Sequence, residues 1–164
     1  MDIQIRQATI NDVKDILSLW RELIDYHVPM DPYFEMNKDA EVHFEKYMKA
    51  HIEPEDGSDT NSSMLFIAED TKSHAIVGFI MGSINSYPPV FKYKQYGCIS
   101  DICVTESYRN RKIGADLVDN AKKWCRERGI QRIQMHAATS NPVSRSFWKK
   151  MGFKPVLEQM YYQQ

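Results

Sequence analysis

Residues 104–115 read Val104-Thr105-Glu106-Ser107-Tyr108-Arg109-Asn110-Arg111-Lys112-Ile113-Gly114-Ala115. The apolar run before them, GCISDICV over 97–104, has the composition of a buried strand. A short polar turn follows. A helix then begins with Gly114 and Ala115 in its first turn. The first N–H groups of a helix lack intrahelical partners, and the macrodipole adds positive potential there. Small residues let an anion approach the backbone, and Arg109, Arg111 and Lys112 supply full charges. Such a strand–turn–helix junction suits a phosphate or pyrophosphate. It has neither the G-x-x-x-x-G-K spacing of a Walker loop nor the G-x-G-x-x-G of a dinucleotide fold.

The remaining elements are placed outward from this junction. Ile3 and Ile5 alternate with polar residues as a short strand. Thr9 and Asp12 form a capping-box pattern for a helix carrying Val13, Ile16, Leu17, Trp20, Leu23 and Ile24, which fades before Pro29 and Pro32. Residues 38–52 read as a second helix and 53–63 as an exposed loop. Strands are expected over 64–70, 75–84 and 97–104. A helix over 113–128 ends at Gly129, and a strand follows over 132–138. Asn141 and Pro142 cap a helix that Gly152 ends, and FKPVLEQMYY over 153–162 closes the chain with one or two strands. The order β-α-α-β-β-β-α-β-α-β(-β) predicts a single α/β domain over 1–164, a mixed sheet with helices on both faces.

The chain has 164 residues and a formal charge of −1, which hides a division. Residues 1–107 hold 9 Lys and Arg against 18 Asp and Glu, whereas residues 108–154 hold 12 against 3. The basic part invites an anion, but the near-zero total and the absence of a recognition motif argue against nucleic acid. Cys98, Cys103 and Cys125 form no C-x-x-C or metal-ligand spacing, so no metal is expected and the thiols are read as reduced. The N-terminus lacks a signal-peptide pattern and no apolar run approaches the length of a bilayer span, so a cytoplasmic protein without a membrane partner is expected.

Arg109-x-x-Lys112-x-Gly114-Ala115 resembles the R/Q-x-x-G-x-G/A motif of the GNAT superfamily of N-acetyltransferases. Asn141-x-x-Ser144-x-x-Phe147-Trp148-x-Lys150-x-Gly152-Phe153 is similar to that family's N-x-x-A-x-x-L/F-Y-x-K-x-G-F, and Ile5-Arg6-Gln7-Ala8-Thr9-x-x-Asp12 also fits it. The resemblance implies a splayed mixed sheet that binds acetyl-CoA as cosubstrate. Ile102, Cys103 and Val104 would offer a backbone edge to the pantetheine arm. The amides of Asn110, Arg111, Lys112, Ile113, Gly114 and Ala115 would hold the pyrophosphate, with Arg109 and Arg111 contacting or steering it. Asn141 and Ser144 would contact the pantetheine, and Trp148 and Lys150 would lie near the CoA arm. Lys112 stands where the family usually has Gly, and its amide can serve if its φ stays below zero.

The implied activity is direct acetyl transfer to a primary amine in a ternary complex. The alternative is a catalytically weak acetyl-CoA sensor. A lysine-like amine is neutral only about once in a few thousand molecules at pH 7, so a base or ordered water must take a proton. The family's usual base positions are Cys98 and Ser100 here, and its usual acidic Tyr is Trp148, so the catalytic residues stay unassigned. Strand alternation puts Asp101 on the face opposite Cys98, Ser100 and Ile102, a structural position unless a bulge re-aims it. Tyr87, Tyr93, Tyr108, Tyr161, Tyr162 or water could supply the acid. Cys103 lacks a base partner and is not read as a nucleophile. Residues 22–59 hold 11 acidic and 3 basic residues, with Glu22, Asp25, Asp31 and Glu35 near the connection of the first two helices, which favours a cationic small-molecule or protein amine. His27, His43 and His51 are read as surface or packing residues. Members of the family often form homodimers, and no residue pattern here decides that state.

Overall fold

The computed structural model describes residues 2–53, 62–162 and 164. Its elements are β1 (Ile3–Gln7), α1 (Val13–His27), α2 (Ala40–Ile52), β2 (Ser63–Asp70), β3 (Ala75–Ser86), β4 (Gln95–Val104), α3 (Ile113–Glu127), β5 (Ile133–Met135) and α4 (Pro142–Lys150). The strands form one sheet in the order β1-β2-β3-β4-β5, antiparallel throughout except for the parallel pair β4 and β5. The expected order of elements holds through α4. Most of the expected 53–63 loop lies outside the described residues.

Each face of the sheet buries its own core. On one side α1 and α2 pack Val13, Ile16, Leu19, Trp20 and Met48 against Leu65, Ile67, Phe79, Met81 and Cys103. Trp20 and Phe44 stack across the two helices at 4.2 Å. On the other side α3 lays Ile113, Leu117, Val118, Ala121, Trp124 and Cys125 on Met64, Ala68, Ile80 and Ile99. The two apolar stripes follow helical periodicity. Each fully buried large side chain contributes about 1.5–3 kcal/mol.

The entry to α1 is built as its pattern foretells. The Thr9 N–H and hydroxyl donate to Asp12 Oδ2 at 2.7 and 2.8 Å. Arg6 adds a bidentate pair to the same carboxylate at 2.8 Å through each nitrogen, and its Nε donates to Glu69 at 2.8 Å. The Arg6 hydrogen bond holds Asp12 down at about 2.

The chain's close departs from expectation. Gly152, at φ 88°, turns the chain after α4, and the Phe153 N–H donates to Trp148 O at 3.0 Å. Beyond Phe153 the described residues form no strand. Pro155 has no N–H to give a ladder, and Val156, Leu157, Met160 and Tyr162 all stay exposed, so no face of this segment is buried against the sheet. The strand expected over 132–138 is also shorter, ending at Met135.

Candidate active site

Two strands part company at the centre of the molecule. β4 pairs with β5 only through Gly97–Ile133, Cys98–Gln134 and Ile99–Met135. β4 then runs on to Val104 while β5 has ended, so the β5-facing edge of residues 100–104 is left without a strand. An extended ligand can pair there as a strand would. Ile102, Cys103 and Val104 lie on this stretch.

The edge leads into the strand–turn–helix junction. Asn110 and Lys112 both adopt left-handed backbone conformations, at φ 62° and 66°. The expectation of a negative φ at Lys112 is therefore overturned. Left-handed residues in a tight turn aim successive N–H groups into one concavity, which a right-handed Lys112 could not do. The conformation costs a β-carbon-bearing residue about 1–2 kcal/mol. The first helical bond of α3 is from the Asp116 N–H to Lys112 O, at 3.0 Å, so the amides of Ile113, Gly114 and Ala115 precede the ladder. A β-carbon on Gly114 would lie 3.4 Å from the Phe147 ring.

The three basic residues of the junction have different settings. Arg109 donates through Nε to Val104 O at 2.9 Å and through Nη2 to Glu22 at 2.7 Å, and the Glu106 N–H donates to the same Glu22 oxygen at 3.0 Å. Arg109 thus ties the junction to α1. Arg111 lies 5.2 Å from the Tyr108 ring centroid, and Lys112 is exposed.

From α4, Asn141 is 3% exposed and accepts the Ser144 N–H at 2.9 Å, capping the helix. Its Nδ2 lies 3.4 Å from His27 Nε2, which links α4 to the end of α1. Trp148 is buried among Phe147 and Phe153 in edge-on contacts, whereas Lys150 is exposed. An indole N–H so placed supplies no acid.

The decisive departure from the sequence reading concerns Asp101. In β4, Asp101 pairs with Met81 while Ile99 pairs with Gly82, so Ser100 is an extra residue. This is a β-bulge, and it reverses the alternation. Asp101 and Cys103 now share the α1/α2 face with Cys98, and Ile99 and Ile102 face α3. The expectation that Asp101 opposes Cys98 is corrected accordingly. Gly82 permits the irregularity, because a β-carbon there would sit 2.3 Å from Cys98 O and 2.5 Å from Met64 Cε.

Asp101 lies within electrostatic reach of titratable residues from three elements. They are Tyr47 and His51 on α2, His27 on α1 and Cys98 on β4. Burial raises the Asp101 carboxyl above its ordinary value, and the Ser100 hydrogen bond and the charges available to His51 and His27 offset part of this. The reading of His27 and His51 as surface or packing residues holds, His27 packing against Phe34 and His51 against Tyr47, and both also act electrostatically on this carboxyl. Burial also pushes Cys103 up to about 12, which makes it a poor nucleophile. Gly82, one of two glycines in the strand pattern of β3, is the available signal for the bulge. No local pattern links His27, His51 and Asp101.

The tyrosines considered as acids lie elsewhere or are engaged. Tyr108 donates to Asp70 at 3.0 Å, Tyr161 donates to Asp31 at 2.8 Å, and Tyr87 accepts from Gln134. Tyr93 lies beneath Arg132, and Tyr162 is exposed. Of the four acidic residues near the α1–α2 connection, Glu22 is bound to Arg109 and Asp31 to Tyr33 and Tyr161.

A sequence model of the acetyltransferase (GNAT) family matches residues 20–153. The chain belongs to the GNAT acetyltransferase family. It is 27% identical over 150 residues to an uncharacterized N-acetyltransferase, MJ1207, of Methanocaldococcus jannaschii, covering 92% of this chain and 60% of that one. Two further curated N-acetyltransferases match over shorter stretches, and the chain spans 27% and 22% of their lengths. Among solved structures, a mutant of the BH1408 protein from Bacillus halodurans superposes with a TM-score of 0.82 at 18% identity, covering 98% and 99% of the two chains. The aminoglycoside N-acetyltransferase AAC(6')-Iy, solved with a bisubstrate analogue of CoA and acetylneamine, gives 0.74 at 18% identity over 100% and 99%. At these identities the structural likenesses show the GNAT fold. Among the described residues no helix is long and apolar enough to cross a membrane.

Proposed function

We propose that this protein is an acetyl-CoA-dependent N-acetyltransferase that acetylates a primary, cationic amine by direct transfer, with Asp101 as general base. The observation that carries the reading is the bulge at Ser100, which turns a half-buried carboxyl onto the α1/α2 face beside the parted strands. Acetyl-CoA suits the remaining features. Its pantetheine arm can pair with the free edge of residues 100–104, and its pyrophosphate matches the left-handed junction and the first amides of α3.

When bound, the thioester supplies an activated acetyl carbonyl. Asp101 takes a proton from the acceptor ammonium, and the freed nitrogen attacks the carbonyl carbon. The new C–N bond replaces the C–S bond, and the second proton that the nitrogen loses as the amide forms goes to the leaving sulfur, giving CoA thiol. A carboxyl raised by burial is a better proton acceptor near neutral pH than an ordinary one. The family supports the reaction class, and the fold shared with an aminoglycoside acetyltransferase supports a polyamine-like acceptor.

The test is thiol release from acetyl-CoA with an amine panel: an aminoglycoside, spermidine, a lysine peptide and glucosamine 6-phosphate. One cationic amine should give turnover, and Asp101→Asn should lower kcat by about a hundredfold or more. Acetyl-CoA that binds and raises Tm without thiol release on any amine would leave the sensor reading in place. Failure to bind acetyl-CoA would overturn both.

A further inference from the structure

Tyr161 brings the end of the chain back to the α1–α2 connection, 130 residues away in sequence. Its hydroxyl donates to Asp31 Oδ1 at 2.8 Å, and the Tyr33 N–H donates to the same oxygen at 2.8 Å. The Tyr33 and Tyr161 rings stand 5.7 Å apart, tilted by 38°, and both are exposed. Both donors fall on Oδ1, so among the described residues Asp31 Oδ2 accepts no hydrogen bond. Nor does a cationic side chain among them pair with Asp31, whereas Glu22 is paired with Arg109, Glu41 with Arg21 and Glu45 with Lys49. The Tyr33 N–H and then the Tyr161 hydroxyl hold the Asp31 carboxyl below its ordinary value, so it is an anion at neutral pH.

From this carboxylate a row of rings runs back along the connection. Tyr33 meets Phe34 edge-on at 5.3 Å, and Phe34 meets His27 at 5.2 Å. His27 Nε2 lies 3.4 Å from Asn141 Nδ2 at the start of α4, beside the proposed path of the pantetheine arm. Three ring-to-ring steps therefore separate the Tyr161 end of the row from the His27 end. A carboxylate at the far end does not touch the nitrogen that reacts. An uncommitted carboxylate oxygen beside aromatic rings matches an ammonium, which donates to the oxygen while the rings attract its charge. Methylene groups can lie along the rings between the two ends.

We propose that Asp31, Tyr33 and Tyr161 form a subsite for a second ammonium of the acceptor, which makes that acceptor an alkyl diamine or polyamine and not a monoamine. The inference rests on the reading of the chain as an amine acetyltransferase and deepens it. The distal ammonium donates to Asp31 Oδ2 beside the two tyrosine rings. The methylene chain follows Phe34 toward His27, and the near nitrogen reaches the thioester. Because the subsite does not touch the reacting atoms, it acts on acceptor affinity and leaves the chemical step alone.

The experiment is calorimetric titration of the full chain, saturated with CoA, with spermidine and with n-butylamine at fixed ionic strength. Spermidine should bind the native chain at least about tenfold more tightly than butylamine. Asp31→Asn retains an oxygen for both donors and removes the charge. It should weaken spermidine about tenfold and change butylamine less than about twofold. Tyr161→Ala lies in an exposed segment, so it tests the subsite even where Asp31→Asn disturbs the connection. It should weaken spermidine about threefold or more. Glu35→Gln removes an exposed charge from the same connection and should change spermidine less than about twofold. Equal losses in Asp31→Asn and Glu35→Gln would assign the preference to the general field of the acidic part and overturn the subsite. Spermidine that binds no more tightly than butylamine, or that is indifferent to Tyr161→Ala, would also overturn it. In thiol release, Asp31→Asn should raise the spermidine KM about tenfold with kcat unchanged. An Asp31-dependent spermidine site without thiol release would overturn the transferase reading and leave the ammonium site standing, so the two failures are distinct.

Discussion

Arg109 and Glu22, 87 residues apart in sequence, meet at 2.7 Å and fasten the α3 junction to α1. The Arg109 guanidinium also holds Val104 O, at the end of the edge left free by β5. In the proposed CoA site, its contribution would therefore run partly through the position of the loop. Arg109→Ala is expected to weaken CoA binding about tenfold, and Glu22→Ala by less. Because both side chains are partly exposed, their coupling in a double-mutant cycle of stability should stay below about 1 kcal/mol. Calorimetric CoA titration and urea unfolding of the four proteins check both figures.

Lys112 holds a glycine's conformation with a lysine's side chain. Lys112→Gly should stabilise the protein by about 1 kcal/mol, since strain is removed and some chain entropy is added. That corresponds to a rise in Tm of about 2–4 °C. CoA affinity should change less than about threefold if the amide is the binding group. A much larger loss would assign the contact to the ammonium instead.

Gly82 faces Cys98 O across the bulge, with no room for a methyl group. Gly82→Ala is expected to cost about 1–3 kcal/mol through overpacking, read from urea unfolding. It should also disturb the aim of Asp101. Thiol release should therefore fall further than in Gly152→Ala, whose strain lies at a positive φ away from the bulge.

Asp12 sets the acid limit of the fold. Its carboxyl is held at about 2, below its unfolded value, by Arg6 and by the Thr9 N–H and hydroxyl. A depressed carboxyl contributes stability that is fully present above the unfolded value and is lost as pH falls through the folded one. Asp12→Asn should cost about 2 kcal/mol at neutral pH. The difference from the native protein should shrink as pH falls from about 4 to 2, measured by denaturation across that range.

Local chemistry made much of this readable beforehand. The Asn141–Ser144 cap, the Thr9–Asp12 box and the strand–turn–helix junction each depend on residues within a few positions of one another. Strand alternation puts Asp101 on the wrong face because it assumes an unbroken ladder, and the extra residue is defined only against β3. His27 and His51 sit on separate helices that the tertiary fold alone brings to one carboxyl. The closing strand failed for a further reason. Residues 153–162 have apolar composition, but Pro155 interrupts donation to a ladder and the segment's large side chains are left in solvent.

The early end of β5 has a consequence for the lifetime of the folded chain. Without a ligand, the gap beside residues 100–104 is an interior sheet edge, the kind of surface on which a stray extended segment can template. A pantetheine arm lying there would close it, and the stabilisation would grow with the logarithm of free ligand over Kd. The supply of acetyl-CoA would then govern turnover and also how much of the protein escapes aggregation and proteolysis.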